Sequence, residues 1–256
     1  MKTDPILKLE NVSRYFGNLA AVKEMNLEVQ AGEIYGIAGP NGSGKTTLIN
    51  TITHIIPPNE GHITFKGHPI HNLQTFTICH LGIARTFQNP EIFTSLSVMD
   101  NVRLGAVYGL RQKKGVLKGE HIRDILKFVG LEGKEEVAAG GLIVSQKKRL
   151  MLGIALATQP QLLILDEPCA GLTAIEAKEM IRLVGRIHDE GITLVVIEHN
   201  MKVLMNISNR VMIMNHGIKI CEGTPEHVSC DDQVIELYLG KKYLRGSEKS
   251  AGSQSP

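Results

Sequence analysis

Gly39-Pro40-Asn41-Gly42-Ser43-Gly44-Lys45-Thr46-Thr47 decides how this chain is read. It fits G-x-x-x-x-G-K-[ST], a loop that wraps phosphate. The apolar run Ile34-Tyr35-Gly36-Ile37-Ala38 leads into it as a buried strand, and Thr46-Thr47-Leu48-Ile49 opens a helix behind it. Glycines let successive backbone N–H groups turn inward around an anion. In this pattern Lys45 reaches the β- and γ-phosphates and the Thr46 hydroxyl ligates Mg²⁺.

The sequence outward from the loop alternates between two kinds of strand. Met25, Leu27 and Val29 are apolar between Asn26, Glu28 and Gln30, and residues 61–67 alternate again and end in a Gly turn. Such period-2 segments predict half-buried antiparallel strands flanking the phosphate loop. Leu162-Leu163-Ile164-Leu165 and Thr193-Leu194-Val195-Val196-Ile197 are continuous apolar runs, as in parallel strands covered on both faces. Ile181, Val184 and Ile187 mark a helix between them, so the core reads as a parallel α/β sheet. Ile122, Ile125, Leu126 and Val129 stand at helical spacing, with Gly130 placed to end the helix. Residues 90–157 therefore read as a helical insertion, residues 1–240 as one nucleotide-binding domain, and the Lys-, Ser- and Gly-rich residues 241–256 as a disordered tail.

Composition narrows the classes. The chain has 256 residues, 43% of them hydrophobic, enough for a large α/β core, and its net charge of +2 makes no general case for nucleic acid. The four cysteines form no C-x-x-C pair, which fits free thiols in a reducing cytosol. No apolar run approaches the length of a membrane span, and the first residues have no signal-peptide pattern. Work at a membrane would need another chain to supply the span. The basic stretch 111–118 reads as a solvated loop, the alternative being a face toward anionic headgroups.

Asp166 and Glu167 follow the first parallel run, where open α/β sheets place their ligands. One carboxylate suits Mg²⁺ held through water, and the next can orient or deprotonate a water. His199 ends the neighbouring run, and Gln88 follows Arg85-Thr86-Phe87.

Phosphate loop, glutamine, a divergent signature segment, Asp-Glu-Pro and histidine, in that order, resemble the ATP-binding cassettes of ABC transporters over about residues 6–240. The resemblance implies an α/β P-loop ATPase core of mostly parallel sheet, with an antiparallel β subdomain and a helical subdomain. It implies Phe16 stacked on adenine, Gly39 to Thr47 around the phosphates, and Mg²⁺ held by Thr46, Gln88 and Asp166, partly through water. By the same resemblance Lys45, Gln88, Glu167 and His199 serve catalysis, Glu167 as the base and His199 as the switch. Residues 82–89, 198–202 and 234–240 look like ATP-binding subunits of branched-chain amino acid importers, with urea and amide importers close by.

The resemblance therefore implies ATP and Mg²⁺, a second cassette, transmembrane permeases, indirectly a solute-binding protein, no nucleic acid, and a place on the cytoplasmic face of the membrane. A lipopolysaccharide-type exporter cassette and a poorly hydrolysing regulatory cassette are the alternatives. A GTPase would need N-K-x-D, which does not occur, and a chromosome-structure ATPase would need long heptad insertions.

The departures lie in the signature. The segment reads Leu142-Ile143-Val144-Ser145-Gln146, against about L-S-G-G-Q in the family. In such cassettes the segment acts in trans on the other subunit's nucleotide, and by the resemblance Ile143 stands in place of its serine, which removes a donor. Thr173 stands where many such cassettes carry Asp. These changes lead to the expectation of a different partner cassette that brings a good signature, a homodimer being the simpler alternative.

Overall fold

The computed structural model describes residues 4–109 and 119–239. Both the 241–256 tail and the basic stretch 111–118 lie outside the described residues.

Alternating side chains build the first sheet. β1 (Leu7–Phe16), β2 (Leu19–Val29), β4 (Glu60–Phe65) and β5 (His68–Pro69) pair antiparallel in the order β2-β1-β4-β5. Met25, Leu27 and Val29 are buried, as are Ile63 and Phe65. The continuous apolar runs build the second. β3 (Ile34–Ala38), β6 (Ile83–Arg85), β7 (Leu162–Asp166), β8 (Thr193–Ile197), β9 (Arg210–Asn215) and β10 (Ile218–Gly223) lie in the order β10-β9-β3-β8-β7-β6. All its pairings are parallel except β9 with β10.

Period-2 geometry gives this sheet two cores. Tyr35, Ile37, Ile164, Val195 and Ile197 face one, shared with the antiparallel sheet and α1 (Lys45–Ile52). Leu163, Leu165, Leu194 and Val196 face the other, shared with the helices of the middle segment and with α6 (Ala174–Asp189). Each fully buried Leu or Ile contributes about 1.5–3 kcal/mol. The loop between β3 and α1 is thus anchored at the seam of two apolar layers.

α2 (Thr75–Leu81) precedes β6, and α3 (Val98–Gly109), α4 (Gly119–Phe128) and α5 (Val144–Ala157) fall within 90–157. Ile122, Leu126 and Val129 are buried and Ile125 is partly so. Gly130, at φ 75°, sends its N–H to the Lys127 carbonyl and closes the turn after α4. In α6 the buried stripe is Met180, Leu183, Val184 and Ile187, with Ile181 only half-buried at its edge. α7 (Met201–Ile207), α8 (Pro225–Ser229) and α9 (Asp232–Leu239) complete the described chain. No helix among the described residues is long and apolar enough to cross a membrane.

Candidate nucleotide site

A cleft of about 560 Å³ opens at the carboxyl ends of the parallel strands. The loop from β3 into α1 forms its floor. Gly44 is the N-cap of α1 at φ 102°, and a Cβ there would lie 2.2 Å from the Ala21 carbonyl oxygen. Only glycine fits. The loop is braced from the side by His216 and Gly217, which form a two-residue turn between β9 and β10 with φ 46° and 79°. Gly217 N–H donates to the Ser43 carbonyl at 2.9 Å, and the Gly217 carbonyl accepts from Lys23 N–H at 2.9 Å.

Lys45 Nζ donates to the carbonyls of Gly39 and Pro40, both at 2.8 Å. Burial pushes its pKa down, and the carboxylates of Glu167 and Asp166 pull it back up. The ammonium is therefore held at the head of α1 beside the strand-end acids. At the far wall Phe16 is 45% exposed, with the Arg14 guanidinium 4.8 Å from its ring centroid. An exposed ring at this height suits a planar base.

The acids come from β7 and the turn after it. Asp166 and Glu167 are buried, at 3% and 6% exposure. Glu167 has φ 49°, an uncommon conformation for a non-glycine residue. Its N–H donates to the Ile197 carbonyl at 2.9 Å, and its carbonyl accepts from Lys148 Nζ at 2.9 Å and Ala170 N–H at 3.1 Å. These bonds aim the carboxylate into the cleft, where Gln88 Nε2 donates to Oε2 at 2.6 Å and His199 Nε2 meets Oε1. Gln88, Glu167 and His199 thus converge from three segments.

Four supporting residues have no role in the motif reading, although Arg85, Glu198 and Asn200 lie in segments that carry the resemblance. Arg85 pairs with Asp166 at 3.4 Å, both side chains buried, and also donates to Asn50 Oδ1 at 2.6 Å. Burial pushes Asp166 up, and Arg85 opposes this. Lys148, three residues beyond Ser145 on α5, also donates to the Gln88 carbonyl at 3.3 Å, which links the helical segment to the glutamine loop. Glu198 accepts from Cys169 N–H at 2.8 Å and ties the ends of β7 and β8 together. Asn200 caps α7, accepting from Lys202 and Val203 N–H, and so sets the start of the helix behind His199.

The signature segment stands away from this cleft, at the start of α5. Ile143 is the N-cap and offers no side-chain acceptor; its N–H donates to Gln146 Oε1 at 3.4 Å. Ile143 and Val144 are 59% and 52% exposed, whereas Ser145 is buried and its hydroxyl donates to Glu176. Leu142 is buried at the foot of the segment. Thr173 is the N-cap of α6 in a reciprocal capping box with Glu176: Thr173 Oγ1 accepts from Glu176 N–H at 3.3 Å and Glu176 Oε2 accepts from Thr173 N–H at 3.0 Å. Thr173→Ala is expected to cost about 1 kcal/mol, a fall of about 2–4 °C in melting temperature by calorimetry. No change in melting temperature would show the cap to be idle.

Residues 22–170 match the family described as ABC transporter. The chain belongs to the ABC transporter family. Residues 219–243 of the cassette also match the family described as branched-chain amino acid ATP-binding cassette transporter. Among relatives, the cassette is 34% identical to the probable branched-chain amino acid transport ATP-binding protein LivG of Methanocaldococcus jannaschii, over 93% of this chain and 99% of the relative. It is 33% identical to the high-affinity branched-chain amino acid transport ATP-binding protein BraF of Pseudomonas aeruginosa, over 93% and 98%. Among solved structures it resembles the ADP conformation of MJ1267, an ATP-binding cassette of an ABC transporter, with a TM-score of 0.83 at 33% identity over 93% of this chain and all of that one. It also resembles the dimeric post-hydrolysis state of the cassette MJ0796 bound to ADP and Pi, with a TM-score of 0.76 at 26% identity over 86% and 98%. The cassette is a nucleotide-binding ATPase of the α/β P-loop class.

Proposed function

We propose that this cassette binds and hydrolyses ATP on the cytoplasmic face of a membrane to drive import of branched-chain amino acids through separate permeases. The convergence of Gln88, Glu167 and His199 beside Lys45 carries the chemical half of this reading. Its C-terminal match and its LivG and BraF relatives support the solute class.

ATP is the substrate. Phe16 stacks on the base, the backbone N–H groups from Gly39 to Thr47 ring the phosphates, and Lys45 leaves the loop carbonyls to neutralise the γ-phosphate. Glu167 takes the proton of the attacking water, and His199 and Lys45 stabilise the charge that builds on the transferred group. This is catalysis by positioning and electrostatics. The donor set fits Mg²⁺, which takes hard oxygens and keeps waters: the Thr46 hydroxyl, the Gln88 amide oxygen and the Asp166 carboxylate. Arg85 engages Oδ2 of Asp166, which leaves Oδ1 for a metal-bound water. Mg²⁺ there supplies charge neutralisation at the phosphate oxygens.

Beside Gln88 a groove of about 250 Å³ is lined by Ile55, Ile78, Phe87, Met151 and Ile154. It suits an apolar segment of the permease, so that movement of Gln88 is felt there. Proteoliposomes containing this cassette, a partner cassette, permeases and a solute-binding protein should take up leucine, isoleucine or valine only with ATP inside. ATP-driven uptake of another solute alone would sink the solute assignment.

The signature favours a different partner cassette. Its exposed tip is apolar and its one hydroxyl is committed to Glu176. A nucleotide capped by this helix meets backbone donors only, so a partner with its own serine-bearing signature would serve the ATP bound by this chain better than a second copy would.

A further inference from the structure

One cluster of mixed donors stands outside the nucleotide cleft, at the sheet edge. Cys221 lies on the edge strand β10, His227 in α8, and Asp231 in the turn before α9. One donor atom from each, a thiol sulfur, a ring nitrogen and a carboxylate oxygen, lies within 4.8 Å of the other two. We propose that Cys221, His227 and Asp231 form a binding site for a zinc-class divalent cation that pins the two C-terminal helices to the sheet.

Each donor is brought to the cluster by its own element. Cys221 pairs in register with Ile213 and is 8% exposed. The His227 ring fills the space above Gly223: a Cβ on residue 223 would lie 2.5 Å from its Cδ2. Asp231 Oδ1 accepts from Gln233 N–H at 2.9 Å and Val234 N–H at 3.1 Å, capping α9, so Oδ2 is the oxygen left to bind. Burial, and then the hydrogen bond it donates to Asp231, push the Cys221 thiol up. Binding of a dication removes that proton to solvent and leaves a thiolate–metal bond.

The chemistry selects the ion class. A sulfur donor disfavours Mg²⁺ and Ca²⁺, which take oxygen, while thiolate, imidazole and carboxylate together suit Zn²⁺. Tetrahedral Zn²⁺ with bonds of about 2.0–2.3 Å needs donors about 3.3–3.6 Å apart, so on binding the donors draw together from a spacing of at most 4.8 Å. His227 is exposed and Asp231 half-exposed, so the fourth position is open to water. The site joins β10 to α8 and α9, and α9 carries Val234 and Tyr238 into a groove shared with His199.

The test titrates the chelator-treated full chain with Co²⁺ and then Zn²⁺, in excess Mg²⁺ to occupy the oxygen donors of the cleft. One equivalent of Co²⁺ should give tetrahedral visible bands and a sulfur-to-cobalt charge-transfer band, displaced by one equivalent of Zn²⁺. Cys221→Ala should abolish the charge-transfer band, and Cys230→Ser should leave it unchanged. His227→Gln alters an exposed side chain, and Asp231→Asn keeps the helix cap. Each should weaken Zn²⁺ binding by more than about tenfold, the lower edge of what losing a mere supporting partner costs. The proposal is overturned if the parent shows no sulfur-to-cobalt band, if the band survives in Cys221→Ala, or if both other variants bind Zn²⁺ as the parent does. None of these readouts depends on ATP hydrolysis.

Discussion

Glu167→Gln is expected to lower ATP turnover by about 10²- to 10⁴-fold, the contribution of a positioned general base. The substitution is nearly isosteric but removes the carboxylate charge and puts an amide donor in place of one acceptor oxygen. The amide oxygen can still accept from Gln88 Nε2, now 2.6 Å from Oε2, but the amide cannot take a proton from water. The φ of 49° at this position is held by backbone bonds that the variant retains: Glu167 N–H donates to the Ile197 carbonyl, and the Glu167 carbonyl accepts from Ala170 N–H and Lys148 Nζ. On the proposed reading the grip on ATP belongs to the loop from Gly39 to Thr47, which the variant leaves unchanged. Binding should therefore survive while turnover fails, and an ATP-bound dimer should accumulate. Phosphate release at saturating Mg²⁺ and ATP, with size-exclusion chromatography of the same sample, reads both. Parent-like turnover would remove Glu167 from the role of base.

How much of this was legible in the sequence follows the range of the physics. The phosphate loop is local: nine consecutive residues specify a strand end, a glycine-permitted turn and a helix start. Three of the parallel strands, β3, β7 and β8, are legible because burial on both faces leaves an unbroken apolar run; β6, only three residues long, and β9 carry no such reading. The capping box Thr173-x-x-Glu176 is equally local, yet a comparison of Thr173 with Asp in other cassettes hid it. The stripe on α6 is legible only in part. Met180, Leu183, Val184 and Ile187 keep helical spacing, and reading Ile181 in place of Met180 and Leu183 turned the stripe slightly. Arg85 could not be read at all as the partner of Asp166, because 81 positions separate them and no periodicity links them. Lys148 is illegible for the same reason: a basic residue after the signature reads as solvated until packing buries it against the Glu167 carbonyl. His216-Gly217 had a signal, two turn residues between apolar runs, but nothing in it pointed to Ser43. The residues proposed to do chemistry are thus legible by motif, and the residues that hold them become visible only in the fold.

Restoring a donor to the signature is expected to raise turnover of the cassette on its own. A hydrogen bond to a charged group contributes about 1.5–3 kcal/mol, so Ile143→Ser should accelerate hydrolysis about 10- to 150-fold if the new hydroxyl meets the partner's γ-phosphate at the catalytic step. Position 143 is the N-cap of α5 and is exposed, so serine also stabilises the helix by about 0.5–2 kcal/mol, and a gain in folded protein could imitate a gain in rate. Ile143→Asp separates the two effects. Aspartate caps as well as serine does but places a carboxylate against phosphate. It should therefore raise the melting temperature like Ile143→Ser while lowering turnover below the parent. Ser145→Gly is the weaker companion, since Ser145 is buried and spends its hydroxyl on Glu176; removing it frees backbone but loosens the start of α5. Mixed with a cassette that carries an intact serine-bearing signature, the parent chain should already hydrolyse faster than alone. Ile143→Ser should then add little at the nucleotide held by this chain, because that nucleotide is capped by the other subunit. Equal acceleration by serine and aspartate, or brisk turnover by the unmixed parent, would show that main-chain donors suffice and that the apolar tip does not make the dimer asymmetric.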